Sequence, residues 1–199
     1  MNKEILDMAY GAFATEAESL AATAAVLKPE DFERAVEVLS KADKIIATGC
    51  GHSLICCEHF THLMNCIERP AMTLSPAQAL HGELGFVKPG DAVVFVSRGG
   101  KTDELVKMLP AVKAKDAVII TITENPESIL AESADIVLLM KVTRECDRFN
   151  CQGTTSFAVT SAIFDALQCA VLENTGFSNE KFAVIHPGGA VGKRLNNNA

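Results

Sequence analysis

The chain has 199 residues, 48% hydrophobic and 22% charged, an ordinary globular balance that excludes disordered, collagen-like and low-complexity classes. This length suits one domain and allows roughly 70% of the unfolded surface to leave water on folding. Lys and Arg number 18 against 25 Asp and Glu, a formal charge of −7, so the basic footprint of nucleic-acid binding is not there.

A membrane span needs about 20 apolar residues, and the cleanest apolar run is only Ala92 to Val96. No membrane segment is expected. Met1 to Leu20 carries Glu4, Asp7, Glu16 and Glu18, which is wrong for a signal peptide. The expected location is therefore the cytoplasm. Cys50, Cys56, Cys57, Cys66, Cys146, Cys151 and Cys169 then read as reduced thiols, because an odd count with an adjacent pair makes a poor disulfide framework.

In chain order, the Ala-, Leu- and Glu-rich stretch 3–27 predicts a helix, with Ile5, Met8, Ala9 and Phe13 on one side. Pro29-Glu30-Asp31 opens a second helix, whose Phe32, Ala35, Val36 and Leu39 form one apolar stripe. Short apolar runs then alternate with helical segments. Strands are predicted at 44–48, 71–74, 92–96, 117–123 and 136–142, and helices at 53–67, 102–114, 126–133 and 154–174. Near-continuous apolar strands signify a parallel sheet buried on both faces. The expected fold is α/β: a doubly wound three-layer sandwich, with one domain over 1–199. The tail Asn196-Asn197-Asn198 reads as loose.

Ligands of open parallel sheets bind at the carboxyl ends of the strands, and three loops there carry unusual residues. Ser97-Arg98-Gly99-Gly100-Lys101-Thr102 follows the strand 92–96. Its glycines allow close backbone approach, and the following helix start suits a phosphate. Arg98 or Lys101 adds charge. The same residues also suit a plain turn with a Thr cap. Gly49-Cys50-Gly51-His52-Ser53 follows the first strand. It lacks the third glycine of a dinucleotide fingerprint, since position 54 is Leu. A small-molecule loop with His52 facing the ligand fits better. Gly153-Thr154-Thr155-Ser156 opens the long helix and offers either a polar cradle or simple capping.

His81 and His186 lie beside glycines, at His81-Gly82-Glu83 and His186-Pro187-Gly188-Gly189, where an imidazole is accessible for proton transfer near neutral pH. His59, His62 and Cys66 share a helix face near Cys56 and Cys57, but no second Cys/His pair completes a tetrahedral site. Helix packing is expected there, with no metal and no cofactor.

Four segments, VVFVSRGGKTDEL, LHGELGFVKPGD, GTTSFAVTSAIFDAL and FAVIHPGGAVGKRL, carry a resemblance over nearly the whole chain. The chain resembles the sugar isomerase (SIS) domain family, most closely its arabinose-5-phosphate isomerases. The resemblance implies a five-stranded parallel sheet, phosphosugar binding, and a homotetramer or dimer. In it Ser97, Gly100 and Thr102 match the phosphate loop, and Thr154, Thr155 and Ser156 match a second hydroxyl cluster. His81 and His186 match two active-site histidines, His186 arriving from a neighbouring subunit. Three positions depart from the family pattern: His52 stands for a usual Lys, Lys101 for a usual Glu, and Gly99 for a common Ser. Relatives often carry a pair of regulatory domains after this region, and a form without that pair is expected here.

The implied reaction is interconversion of an aldose phosphate and a ketose phosphate. The phosphate anchors an open-chain sugar, a base removes the proton beside the carbonyl, and a polar group shuttles protons between the enediol oxygens. His186 as base and His81 as ring-opening or shuttle group is one assignment, and the reverse is the other. His52 and Glu83 are further candidates. A non-catalytic phosphosugar sensor on the same fold is the competing reading.

Overall fold

All five expected strands form in the computed structural model, which describes residues 2–196. They are β1 (Ile45–Gly49), β2 (Ala71–Thr73), β3 (Ala92–Val96), β4 (Val118–Thr123) and β5 (Ile136–Leu139). Every pairing is parallel and the order is β2-β1-β3-β4-β5. β1 and β3 are buried along their whole length, which explains their unbroken apolar runs. Alternate residues serve opposite faces: Ala92, Val94 and Val96 join one core cluster, Val93 and Phe95 the other.

The helices sort by face. α2 (Pro29–Lys41), α3 (His52–Asn65) and α7 (Thr155–Thr175) supply one cluster, in which Phe60 stacks on Phe164 with ring centroids 4.1 Å apart. α5 (Asp103–Ala114) supplies Leu105, Met108, Leu109 and Val112 to the other, joined by Ala79 of α4 (Pro76–Ala79) and Leu130 of α6 (Ile129–Glu132). The chain leaves β1 toward one face and β3 toward the other. The sheet therefore has its topological switch between these two neighbouring strands, where a crevice opens at the carboxyl edge.

α1 (Lys3–Val26) lies against α7. Its buried Ser19 and Thr23 fasten it to the segment after β5. The Thr23 hydroxyl donates to the Lys141 carbonyl at 2.9 Å and accepts the Lys141 N–H at 2.9 Å, while the Thr143 N–H donates to the Ser19 hydroxyl at 3.0 Å. Ile5, Met8, Tyr10 and Phe13 remain exposed.

Several expectations change. The last strand stops at Leu139: the Met140 N–H makes one more bond to the Thr123 carbonyl, and Lys141 and Thr143 then turn to the Thr23 and Ser19 hydroxyls of α1. The helix expected at 126–133 shortens to α6, its start fixed by the Ser128 hydroxyl accepting the Ala131 N–H. And one segment, α7, is long and apolar enough to cross a membrane by length and composition. Its Val159, Ile163, Phe164, Leu167 and Val171 are buried in the core, the position of a central packing helix. α8 (Asn179–Ile185) and α9 (Gly189–Asn196) complete the described chain. Asn196, expected to be loose, instead ends α9 with its side-chain amide donating to the Gly192 carbonyl at 2.9 Å, and Asn197 and Asn198 lie outside the described residues.

Candidate active site

The loop after β1 is shaped by its glycines. A Cβ on Gly49 would stand 2.8 Å from the Ser53 Cβ, so only glycine lets the first turn of α3 fold back on the strand end. Gly51 holds φ +57, a conformation costly for side-chain-bearing residues. Here α3 begins with exposed His52, whose ring meets Phe157 edge-on at 6.2 Å between centroids. Gly153 lies against the same imidazole, where a Cβ would come within 2.6 Å of Nδ1. The glycine before α7 thus makes room for the histidine that starts α3.

The loop after β3 folds around Ser97, which is nearly fully buried. Its hydroxyl accepts the Gly100 N–H at 3.1 Å and bonds the Thr102 hydroxyl at 2.9 Å. Thr102 therefore closes the loop and does not cap α5 with its side chain. Gly100 has φ +65, and a Cβ there would collide with the Ser128 hydroxyl. Gly99 is exposed with open space above it. Lys101 is exposed and has no ion pair among the described residues. The N–H groups of Gly99, Lys101, Thr102 and Asp103 likewise have no acceptor among the described residues. Together they form the open end of a twelve-residue helix, suited to an anion.

Arg98 differs from the expectation of a free cation. Its Nε donates to Glu124 and its Nη1 to Glu145, each at 2.8 Å. Glu124 follows β4 and Glu145 lies in the segment between β5 and α7, so one guanidinium ties three loop regions together. Glu145 is 3% exposed and also accepts the Thr154 hydroxyl and the Ser156 N–H, both at 3.2 Å. Burial alone would raise its pKa. The Ser156 hydroxyl and N–H, Arg98 and the Thr154 hydroxyl outweigh burial and hold the carboxyl below its usual range. The expected hydroxyl cradle is therefore partly used within the protein. The Thr154 oxygen serves Glu145 and accepts the Cys146 N–H at 2.9 Å, and Thr155 is fully buried with its hydroxyl 3.2 Å from the Cys146 sulfur. Ser156 lines a void of about 30 Å³ with His52, Ser53, Cys56 and Arg98.

His52, Ser53, Ser97, Arg98 and Ser156 are thus gathered at the crevice, and the other two histidines are not. His81 is exposed after α4, on the side of the sheet covered by α5. His186 lies between α8 and α9, its ring 5.1 Å from that of Phe182. Phe182 in turn lines a cleft of about 520 Å³ with His62, Cys66 and Leu172, at the far ends of α3 and α7. The fourteen residues of α3 separate that cleft from His52 by about 20 Å at about 1.5 Å per residue. Burial first, then neighbouring Cys56 and Glu58, push the Cys57 thiol well up, which keeps it protonated and inert at neutral pH. His59 pairs with Asp165 at 3.0 Å across α3 and α7.

Glu124 and Glu145 were not singled out in the sequence, and Gly153 was read only as the start of a hydroxyl-rich loop. A lone Glu among Thr143-Arg144-Glu145-Cys146 carries no spacing signal, and its role depends on which distant loops the sheet brings beside it.

A model of the SIS domain matches residues 38–170, from α2 to the second half of α7 and including the loops at the crevice. The chain belongs to the SIS domain family. It is 36% identical to arabinose 5-phosphate isomerase KdsD of Yersinia pestis over 168 residues, covering 83% of this chain and 51% of that one. The KdsD of Pseudomonas aeruginosa is also 36% identical, over 167 residues, covering 83% of this chain and 51% of that one. The chain spans about half the length of these curated relatives. A Listeria monocytogenes structure classed with the sugar-phosphate isomerases superposes with a TM-score of 0.91 at 37% identity, covering 94% of this chain and all of that one. An Escherichia coli CFT073 protein in complex with arabinose 5-phosphate superposes at 0.87 with 25% identity, again over 94% of this chain and all of the other. The five-stranded parallel sheet expected from the sequence is the fold these SIS proteins share.

Proposed function

We propose that this SIS domain is an aldose–ketose isomerase of a phosphosugar, of the arabinose 5-phosphate type. The observation that carries the reading is the open end of α5: the N–H groups of Gly99, Lys101 and Thr102, without an acceptor among the described residues, beside the exposed Lys101 side chain and in the same crevice as His52. The names of the 36% identical relatives and of the arabinose 5-phosphate complex support the same substrate class. In this reading the phosphate sits on the loop 97–102 and holds the open-chain sugar in register. A histidine takes the proton from the carbon beside the carbonyl and returns it to the neighbouring carbon, while a second polar group moves the hydroxyl proton between the two oxygens. His52 is the imidazole that the chain itself brings to the crevice. His186 and His81 would be delivered by assembly and loop placement. We infer a homodimer or homotetramer, joined through the exposed stripe of α1 and bringing His186 of one copy to the crevice of another. We assign the protein to the cytoplasm.

The test is a coupled isomerase assay over a panel of pentose and hexose phosphates, run beside a thermal-shift screen of the same compounds. Turnover of arabinose 5-phosphate, lost in His186→Ala while ligand-induced stabilisation persists, supports the reading. Stabilisation without turnover by any compound selects a phosphosugar sensor instead.

A further inference from the structure

The seven thiols of the chain have surroundings that separate one from the rest. Cys56 and Cys57 are buried, and burial pushes both thiols up, as it does that of half-buried Cys50, where Glu104 adds to the effect. Cys146 is engaged by the Thr155 hydroxyl, the Ala12 carbonyl and the Glu16 carboxylate. Cys151 is exposed and directs its sulfur to the Phe149 carbonyl at 3.3 Å, and Cys169 is exposed on α7. Among the described residues Cys66 alone makes a hydrogen bond with an imidazole: its sulfur lies 3.6 Å from the His62 Nε2, one turn earlier on α3.

This pair lines the cleft of about 520 Å³ at the far end of α3, where Ile67, Leu172, Phe177 and Phe182 supply apolar walls. Such a volume suits a small organic molecule. The end of the helix shapes the chemistry of the pair. A helix C-terminus favours a cation and opposes an isolated thiolate. A proton moved from the sulfur to His62 leaves an imidazolium where the helix accepts one, beside the negative sulfur that it balances. A thiol next to a base is a nucleophile, and the apolar walls hold an apolar electrophile against it.

We propose that Cys66 is a covalent modification site, with His62 as its base, for an apolar α,β-unsaturated carbonyl compound held in this cleft. The Sγ proton passes to the His62 Nε2, and a sulfur lone pair forms the S–C bond at the β-carbon. The C=C π pair moves to the α-carbon as an enolate, which takes the proton back from His62. The product is a thioether; no group leaves, and no oxidant or reductant is needed.

The experiment uses the whole chain with its cysteines reduced and benzylideneacetone as the probe. Peptide mass spectrometry gives the labelling rate at each cysteine. Cys66 should be labelled at least about tenfold faster than Cys151 and Cys169, although both are more exposed. His62→Gln should slow Cys66 by about tenfold or more and leave Cys151 and Cys169 unchanged. Phe182→Ala removes part of the apolar wall from a helix with no buried residues. It should slow Cys66 by about threefold or more toward the enone and leave its rate with iodoacetamide, a small polar alkylator, near wild type. Cys57, buried in the core, should stay unlabelled and so reports that each variant is folded. Labelling that follows exposure, with Cys151 or Cys169 as fast as Cys66, overturns the proposal. So does an unchanged Cys66 rate in His62→Gln, or an equal effect of Phe182→Ala on both reagents. The wild-type ratio needs no variant, and none of these outcomes depends on isomerase activity.

Discussion

Among the helices that start at the carboxyl edge of the sheet, α5 and α7 each begin beside small hydroxyl-bearing residues. Locally they look interchangeable: Ser97 and Thr102 before one, Thr154 to Ser156 at the other. In the folded chain the first N–H groups of α5 meet no acceptor among the described residues and its flanking hydroxyls bond each other, while α7 spends its first donors on Glu145. A helix start is a generic anion site. Whether it is available to a ligand depends on what the rest of the protein has already put there.

Substitutions can break this contrast, and the largest effect is expected at the open end. Gly100→Ala places a Cβ against Ser128 at a positive φ, and should cost about 2–4 kcal/mol of stability through strain and overpacking. Urea denaturation reads it directly, and phosphosugar-induced stabilisation should vanish with the loop geometry. At the filled end, Glu145→Ala strands part of the Arg98 charge and the Ser156 N–H. It should cost about 2 kcal/mol, less than at Gly100 because Arg98 retains Glu124. Equal m-values in the two urea titrations would confirm that the native state alone has changed.

Gly153→Ala tests the link between α7 and His52. The added methyl displaces the imidazole at an expected stability cost of under about 1 kcal/mol, since the ring is at the surface. The isomerase rate should fall at least about tenfold if His52 moves a proton, and an unchanged rate would remove His52 from the chemistry. The smallest effect is on pH dependence. Glu145 has a folded pKa lowered from the usual 4.5, so its contribution to stability is present above that unfolded value and is lost as pH falls through the folded one. Melting temperatures from about pH 7 to about pH 3 should therefore decline less steeply in Glu145→Gln than in wild type. Asp147, also lowered because the N–H groups of Gln152, Cys151 and Phe149 outweigh desolvation, supplies a residual slope in both.

Burial pattern made the fold legible in the sequence. The strand expected at 92–96 forms with those bounds, and the others begin within a residue of their expected starts. The loops following β1 and β3 were equally readable as neighbours at the carboxyl edge, because all strands of a parallel sheet end on one side. Helix α6 was overestimated, since a turn closed on Asn125 precedes it and the Ser128 cap sets its start.

What the sequence by itself determined is local: which residues are apolar at period two or 3.6, where glycine permits a turn, and which side chains carry hydroxyl, imidazole or charge. Only the tertiary structure decided how those groups are used. Arg98 meets carboxylates 26 and 47 positions away, Gly153 yields to His52, Thr155 turns inward, and His186 ends at the far side of its own chain. The physical reason is range. Backbone sterics and burial act on neighbours along the chain and leave a periodic trace. Charges and donors find partners across loops whose nearness is set by strand order, and that order leaves no trace in the spacing of the residues it joins.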